Sequence, residues 1–191
     1  MPGRNAGRTL PELPSPRTAA RRGRNGPPLS SGLPLGQGTA PAMMAEIRCV
    51  HTGEFLGVHR TALTADGRKL GRKVFGSAAG GGVMLDPLAA ARPTLVVGEG
   101  IETCLAGRQV GLRPMWSLIS VGNIGTLPVL DDVIRLTVLA EVDTAPNRPS
   151  AAACEKVGAR WHAADRSVDF LFPPDGAKDF NDALMMQRGA A

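Results

Sequence analysis

The chain has no tyrosine, and only two tryptophans and five phenylalanines among its 191 residues, so it offers little material for an aromatic platform that stacks bases. Cysteine is scarce too. The three, at positions 49, 104 and 154, cannot build a disulfide framework and lack the Cys-x-x-Cys spacing of a structural zinc site. They suit a reducing cytoplasm. No apolar run approaches the roughly 18 residues of a membrane span, which points to a soluble chain without a membrane partner. What is present is ordinary globular material. Apolar residues make up 43%, enough for a real core, and the length suits one domain or one domain with a small companion.

The formal charge of +5 suggests a nucleic-acid binder until it is divided along the chain. Residues 1–42 hold six arginines (Arg4, Arg8, Arg17, Arg21, Arg22, Arg24) against Glu12 alone. The remainder carries sixteen basic and sixteen acidic side chains, a net of zero. Any affinity of the folded part for nucleic acid must therefore come from a local patch. Residues 1–42 also hold eight of the sixteen prolines and seven glycines, a composition that cannot offset its ordering entropy and reads as a disordered leader. It has no apolar segment of the kind a secretory signal needs. Two readings stand for it: an upstream start ahead of Met43-Met44 that is not translated, or a basic tether to nucleic acid.

Residues 43–92 read as a small β-rich unit, with strands at 47–51, 55–63, 70–75 and 83–85. Asp66-Gly67 between two apolar stretches is a strong hairpin signal. From Pro93 the pattern changes to strand–helix alternation. Strands are expected at 94–98, 116–121, 134–140 and 168–172, and helices at 101–110, 150–161 (capped by Ser150) and 179–187. Apolar strands without polar alternation, each followed by a helix, predict an α/β fold with a parallel sheet covered on both faces. In such sheets the working residues sit at the carboxyl ends of the strands.

Acids gather at those ends. Gly98-Glu99-Gly100 follows the first strand, Glu141-Val142-Asp143 the third, and Lys178-Asp179-Phe180-Asn181-Asp182 closes the loop after the fourth. If the third strand stays extended, Glu141 and Asp143 project to one face. Each feature alone has a plain explanation, a solvated turn or a helix cap. Together they place carboxylates around one crevice, where repulsion calls for a cation and hard oxygen ligands select Mg²⁺ or Mn²⁺.

The order Val97-Gly98-Glu99-Gly100-Ile101-Glu102-Thr103, Ser120-Val121-Gly122-Asn123, Glu141-Val142-Asp143 and Lys178-Asp179-Phe180-Asn181-Asp182 resembles the Toprim domain, most nearly that of phage- and plasmid-type DNA primases. The resemblance covers about residues 93–188, and 57–69 resembles the segment that precedes Toprim in those primases. It implies four parallel strands between helices, and Mg²⁺-dependent phosphoryl transfer on nucleic acid during replication of a mobile element or its host. Glu99 would be the general acid/base, and Glu141 and Asp143 the metal pair. Asp179 and Asp182 would support the metal or an incoming nucleotide. The implied partners are a single-stranded DNA template and nucleotides, with a helicase or a zinc-module-bearing chain alongside. One departure is Glu141, where Asp is the familiar residue; its extra methylene moves the carboxylate by about one bond length. The other is that no zinc module or helicase is visible. A Toprim nuclease and a non-catalytic nucleic-acid-binding accessory or fragment therefore stand beside the primase reading.

The basic candidates are Arg60, Arg68, Lys69, Arg72, Lys73 and Lys178, read either as a solvated face or as a grip on a template backbone. Cys49, His51 and His59 are a poor zinc set, and packing or surface roles are expected for them. Cys104 reads as a small buried apolar residue, and Trp116 and Trp161 as core aromatics.

Overall fold

The computed structural model describes residues 33–35, 38–87, 89, 93–144 and 146–189. Most of the expected leader, residues 1–32, lies outside them. Its last residues do not: β1 (Leu33–Leu35) and β2 (Gly38–Ala40) pair as an antiparallel hairpin. Three further antiparallel pairings build the next part of the chain, from β3 (Ala42–Cys49), β4 (Phe55–Leu63), β5 (Lys69–Gly76) and β6 (Gly81–Met84). β4 has the expected bounds. β3 begins at Ala42, five residues before the expected start, because alanine and glutamate are weak strand formers in isolation. Here seven registered pairs with β4 hold them extended.

The strand–helix alternation is as expected: β7 (Thr94–Gly98), α1 (Ile101–Gln109), β8 (Met115–Ser117), α2 (Val121–Thr126), β9 (Arg135–Leu139), α3 (Pro149–His162), β10 (Ser167–Leu171) and α4 (Phe180–Gly189). β8 is shorter than the expected 116–121. Ser120 leaves the strand to cap α2, its hydroxyl accepting from the Asn123 amide at 3.2 Å.

The strands β10, β9, β7 and β8 lie parallel, in that order, giving the four-stranded parallel half of the expected fold. The sheet then continues. β6 pairs antiparallel with β8, and β3, β4 and β5 follow, so eight strands run unbroken from β10 to β5. Alternation along β7 sorts the core. Leu95 and Val97 face α2 and α3, joining Trp116, Leu136, Val138, Val157 and Trp161, whereas Val96 faces Cys104 and Met115 on the other side. Both tryptophans are fully buried, as expected, and each such side chain contributes about 1.5–3 kcal/mol. Among the described residues no helix is long and apolar enough to cross a membrane.

Two side chains fasten the sheet across its change of direction. Asn123 donates from its amide to the carbonyls of Ala78, Gly81 and Leu118, at 2.7, 3.1 and 2.9 Å, and accepts from the Gly80 N–H at 3.3 Å. This holds the glycine run before β6 against the first turn of α2. Asp86 does the same beyond β6. Its carboxylate accepts from Arg108, Arg113 and the Met115 amide, and its carbonyl from the Trp116 indole.

Candidate active site

Glu99 is placed first by its backbone. Its carbonyl accepts from the Ser117 hydroxyl at 2.7 Å and the Ile119 amide at 2.9 Å, which locks the turn between β7 and α1 to the end of β8. Gly98, the last residue of β7, lets α1 pack close: a Cβ there would stand 2.9 Å from the Cys104 Sγ. Glu141 follows β9 on a segment that is not a strand. The neighbouring Ala140 and Val142 amides donate to the Leu171 and Lys178 carbonyls, at 2.8 and 2.9 Å, and hold it between β10 and the loop before α4. Asp179 caps α4, its carboxylate accepting from the Asp182 amide at 2.8 Å.

These three acids line one cleft of about 740 Å³. Burial pushes the Glu99 carboxyl above its ordinary value, while Arg72 and the Val121 amide pull it back. Glu141 is pushed up to about 7, first by burial, then by the charges of Glu99 and Asp179, with Arg72 opposing and Asp143 adding a little. Such crowding is what a hard divalent cation relieves, and the oxygen-only donor set fits Mg²⁺ or Mn²⁺. Among the described residues, however, no three acidic, cysteine or histidine side chains lie close enough to chelate an ion as they stand.

The expected acid pair is divided, and this corrects the expectation that Glu141 and Asp143 share one face. The paired strand ends at Leu139, and beyond it Glu141 lines the cleft whereas Asp143 does not. Asp143 turns to the start of α3, its two oxygens accepting from the Ser150 and Ala151 amides at 2.9 Å each. Asp143 therefore takes the capping role expected of Ser150, whose hydroxyl instead accepts from the Glu141 amide at 3.3 Å. Asp182 is likewise committed locally, accepting from the Lys178 amide at 3.1 Å.

The opposite wall comes from β4 and β5. Arg68, Lys69 and Arg72 line the cleft together with Thr61 and Met43. Lys69 and Arg72 are three apart and would ordinarily face opposite ways. A β-bulge between Ala62 and Leu63 resets the register, pairing Leu63 with Lys69 and Thr61 with Arg72 on one face. Gly67, at φ 87°, makes the hairpin tip. The other basic candidates lie elsewhere. Arg60 and Lys73 pair on the reverse face, their cationic groups 5.7 and 5.2 Å from the Phe75 ring centre. Arg60 is also 7% exposed, so it does not form part of an open basic face. Lys178 borders a separate shallow groove with Val142, Pro173 and Pro174.

Sequence reasoning passed over Glu102, Asn181 and Arg188, all of which line the cleft. Glu102 was visible, one helical turn beyond Glu99. Arg188 carries no local signal; only the packing of α4 against α1 brings it in, with its guanidinium on the Gln109 side chain at 2.9 Å. His59 is buried beneath the same wall, its pKa lowered first by burial, with Glu102 opposing and Arg72 and Lys69 assisting.

The Glu141 shift gives a pH prediction. A carboxyl raised in the fold keeps its proton where the unfolded chain has lost it. Stability is then full below pH 4.5 and eroded as pH rises through about 7. After discounting for its half-open position, the cost at pH 8 is about 1–2 kcal/mol. Glu141→Gln is expected to raise Tm at pH 8 by about 2–6 °C and not at pH 4, as read by differential scanning calorimetry.

A four-stranded parallel sheet between helices, with acids at its strand ends and a basic hairpin opposite, defines an α/β domain with an acidic cleft at the carboxyl edge of its sheet. The family model described as the Toprim domain matches residues 94–191, and the chain belongs to that family. A search of curated proteins finds no match. Solved DNA primases share the fold. A DNA primase domain from Pseudomonas aeruginosa is 21% identical with a TM-score of 0.52, over 76% of this chain and 47% of that one. The DnaG primase catalytic domain bound to ssDNA is 19% identical with a TM-score of 0.51, over 78% and 48%. The DnaG catalytic core is 18% identical with a TM-score of 0.51, over 82% and 53%. The chain thus spans about half the length of these three solved structures.

Proposed function

We propose that this protein carries out Mg²⁺- or Mn²⁺-dependent nucleotidyl transfer on nucleic acid, as a primase-like Toprim enzyme in DNA replication. The observation that carries this reading is the convergence of Glu99, Glu141 and Asp179 on a cleft walled by Arg68, Lys69 and Arg72. Arg68, Lys69 and Arg72 bind backbone or nucleotide phosphates and orient them across from the acids. Glu99, raised by burial, accepts the proton of the attacking 3′-hydroxyl on a carboxylate oxygen. Glu141 and Asp179 would hold the cation, which would supply positive charge to the phosphate oxygens and to the departing pyrophosphate. Asp143 joins them only by releasing the two amides at the start of α3; its first role here is to fix that helix beside Glu141. The substrates on this reading are a single-stranded DNA template and nucleotides. A helicase or a zinc-module-bearing chain is the expected partner.

That engagement of Asp143 also favours a second reading, a nucleic-acid-binding accessory without turnover. The test is isothermal titration of Mg²⁺ and Mn²⁺ into the full chain, with and without a nucleoside triphosphate, beside Glu141→Ala. Binding by the wild type that disappears in the variant is expected. No binding under either condition, with DNA affinity unchanged by Glu141→Ala, would overturn the catalytic reading in favour of the accessory one. Cleavage of DNA without added nucleotides would indicate the nuclease alternative.

A further inference from the structure

Two ion pairs line the cleft, Arg68 with Asp66 within the hairpin tip and Lys69 with Glu102 across to α1, and the second joins two elements without serving the three-acid group. Lys69 Nζ, on the hairpin, meets Glu102 Oε1, in the first turn of α1, at 2.8 Å. Both side chains are partly open, and both line the cleft. Lys69 is on this face only because of the bulge that also sets Arg72 there. The two cations are used differently. The charge of Arg72 acts on Glu99 and Glu141, whereas Lys69 is bonded to a carboxylate outside the three-acid group.

We propose that Glu102 is an internal competitor that holds Lys69 in reserve, and that a polyphosphate or nucleic-acid backbone entering the cleft displaces it. This rests on the phosphate-binding part of the reading above. The Glu102 oxygen is itself buried but the Lys69 side chain is 43% exposed and borders the cleft, so a ligand with several phosphate charges competes for the ammonium from the open side. The Lys69 stem is flexible and its ammonium is a point charge, so it can turn from Glu102 to a phosphate without remaking a fork geometry. Burial alone would raise the Glu102 carboxyl. The Lys69 hydrogen bond and charge, with help from His59, hold it below its ordinary value, which keeps the competitor ionised at neutral pH. The hairpin is thereby held against α1 until a substrate arrives. Glu102 on this account is a positioning residue that sets affinity and does not touch the reacting atoms.

The experiment measures tripolyphosphate binding to the full chain at low salt, by calorimetry, for the wild type, Glu102→Gln, Lys69→Met and the double variant. Glu102→Gln is expected to bind about three- to fivefold tighter, the size of the pair it removes. Lys69→Met is expected to bind more weakly, and in that background Glu102→Gln should add nothing. A gain of the same size in both backgrounds would mean simple loss of a negative charge, and would overturn the proposal. So would no gain at all. If wild type takes up metal ions but no variant binds tripolyphosphate, the exchange fails and the acidic cleft stands. If neither ligand binds, both readings fall. Melting temperatures of the four proteins separate these results from misfolding.

Discussion

Replacing Glu99 by Gln is expected to lower the proposed metal-dependent nucleotidyl transfer by about 10²- to 10⁴-fold, the usual worth of a positioned general acid or base. The fold should not suffer. Glu99 is anchored through its backbone carbonyl by Ser117 and Ile119, contacts that the substitution leaves intact. Its carboxylate is the part that burial disfavours, so a neutral isostere is expected to leave thermal stability unchanged or slightly improved. Primer synthesis on a single-stranded template with ribonucleotides measures the effect, and calorimetry checks the fold. A variant that keeps its rate would remove Glu99 from the chemistry. A variant that loses rate and metal binding together would make it a ligand for the cation.

The second large effect is structural. Asp86→Ala is expected to destabilise the protein by about 3–5 kcal/mol, because it strips the partner from buried donors and leaves an arginine uncompensated. Arg108 and Arg113 donate to Asp86 Oδ1 at 2.8 and 3.0 Å, and the Met115 amide to Oδ2 at 2.8 Å. At this chain length the loss corresponds to a fall in Tm of about 10 °C. Asp86→Asn keeps an acceptor for one of these bonds and should cost about half as much. Urea unfolding of both variants decides it. A loss below about 1 kcal/mol would mean that Arg108 and Arg113 find water instead.

Nothing local marks Asp86. Asp86-Pro87 reads as an ordinary turn, and its partners lie 22, 27 and 29 residues along the chain. The same separation explains the other omissions. Asn123 reaches back more than forty residues to the glycine run, and Arg188 enters the cleft from the last turn of the final helix.

The sequence by itself determined the parallel half of the sheet, because unbroken apolar runs such as 94–98 can only be buried on both faces. It determined the hairpin at Asp66-Gly67, since that turn needs a residue tolerant of positive φ. It also determined that acids stand at three strand ends, since glycine turns and strand ends are local events. Which acids meet was decided by the tertiary structure. Glu141 and Asp143 part because β9 stops at Leu139 and α3 offers two free amides, a stronger local claim on Asp143 than a crevice crowded with like charge. Which cations face them was decided by one register shift between β4 and β5, since a single extra residue exchanges the faces of a strand. Composition shows how many charges there are; only the folded sheet shows which of them share a cleft.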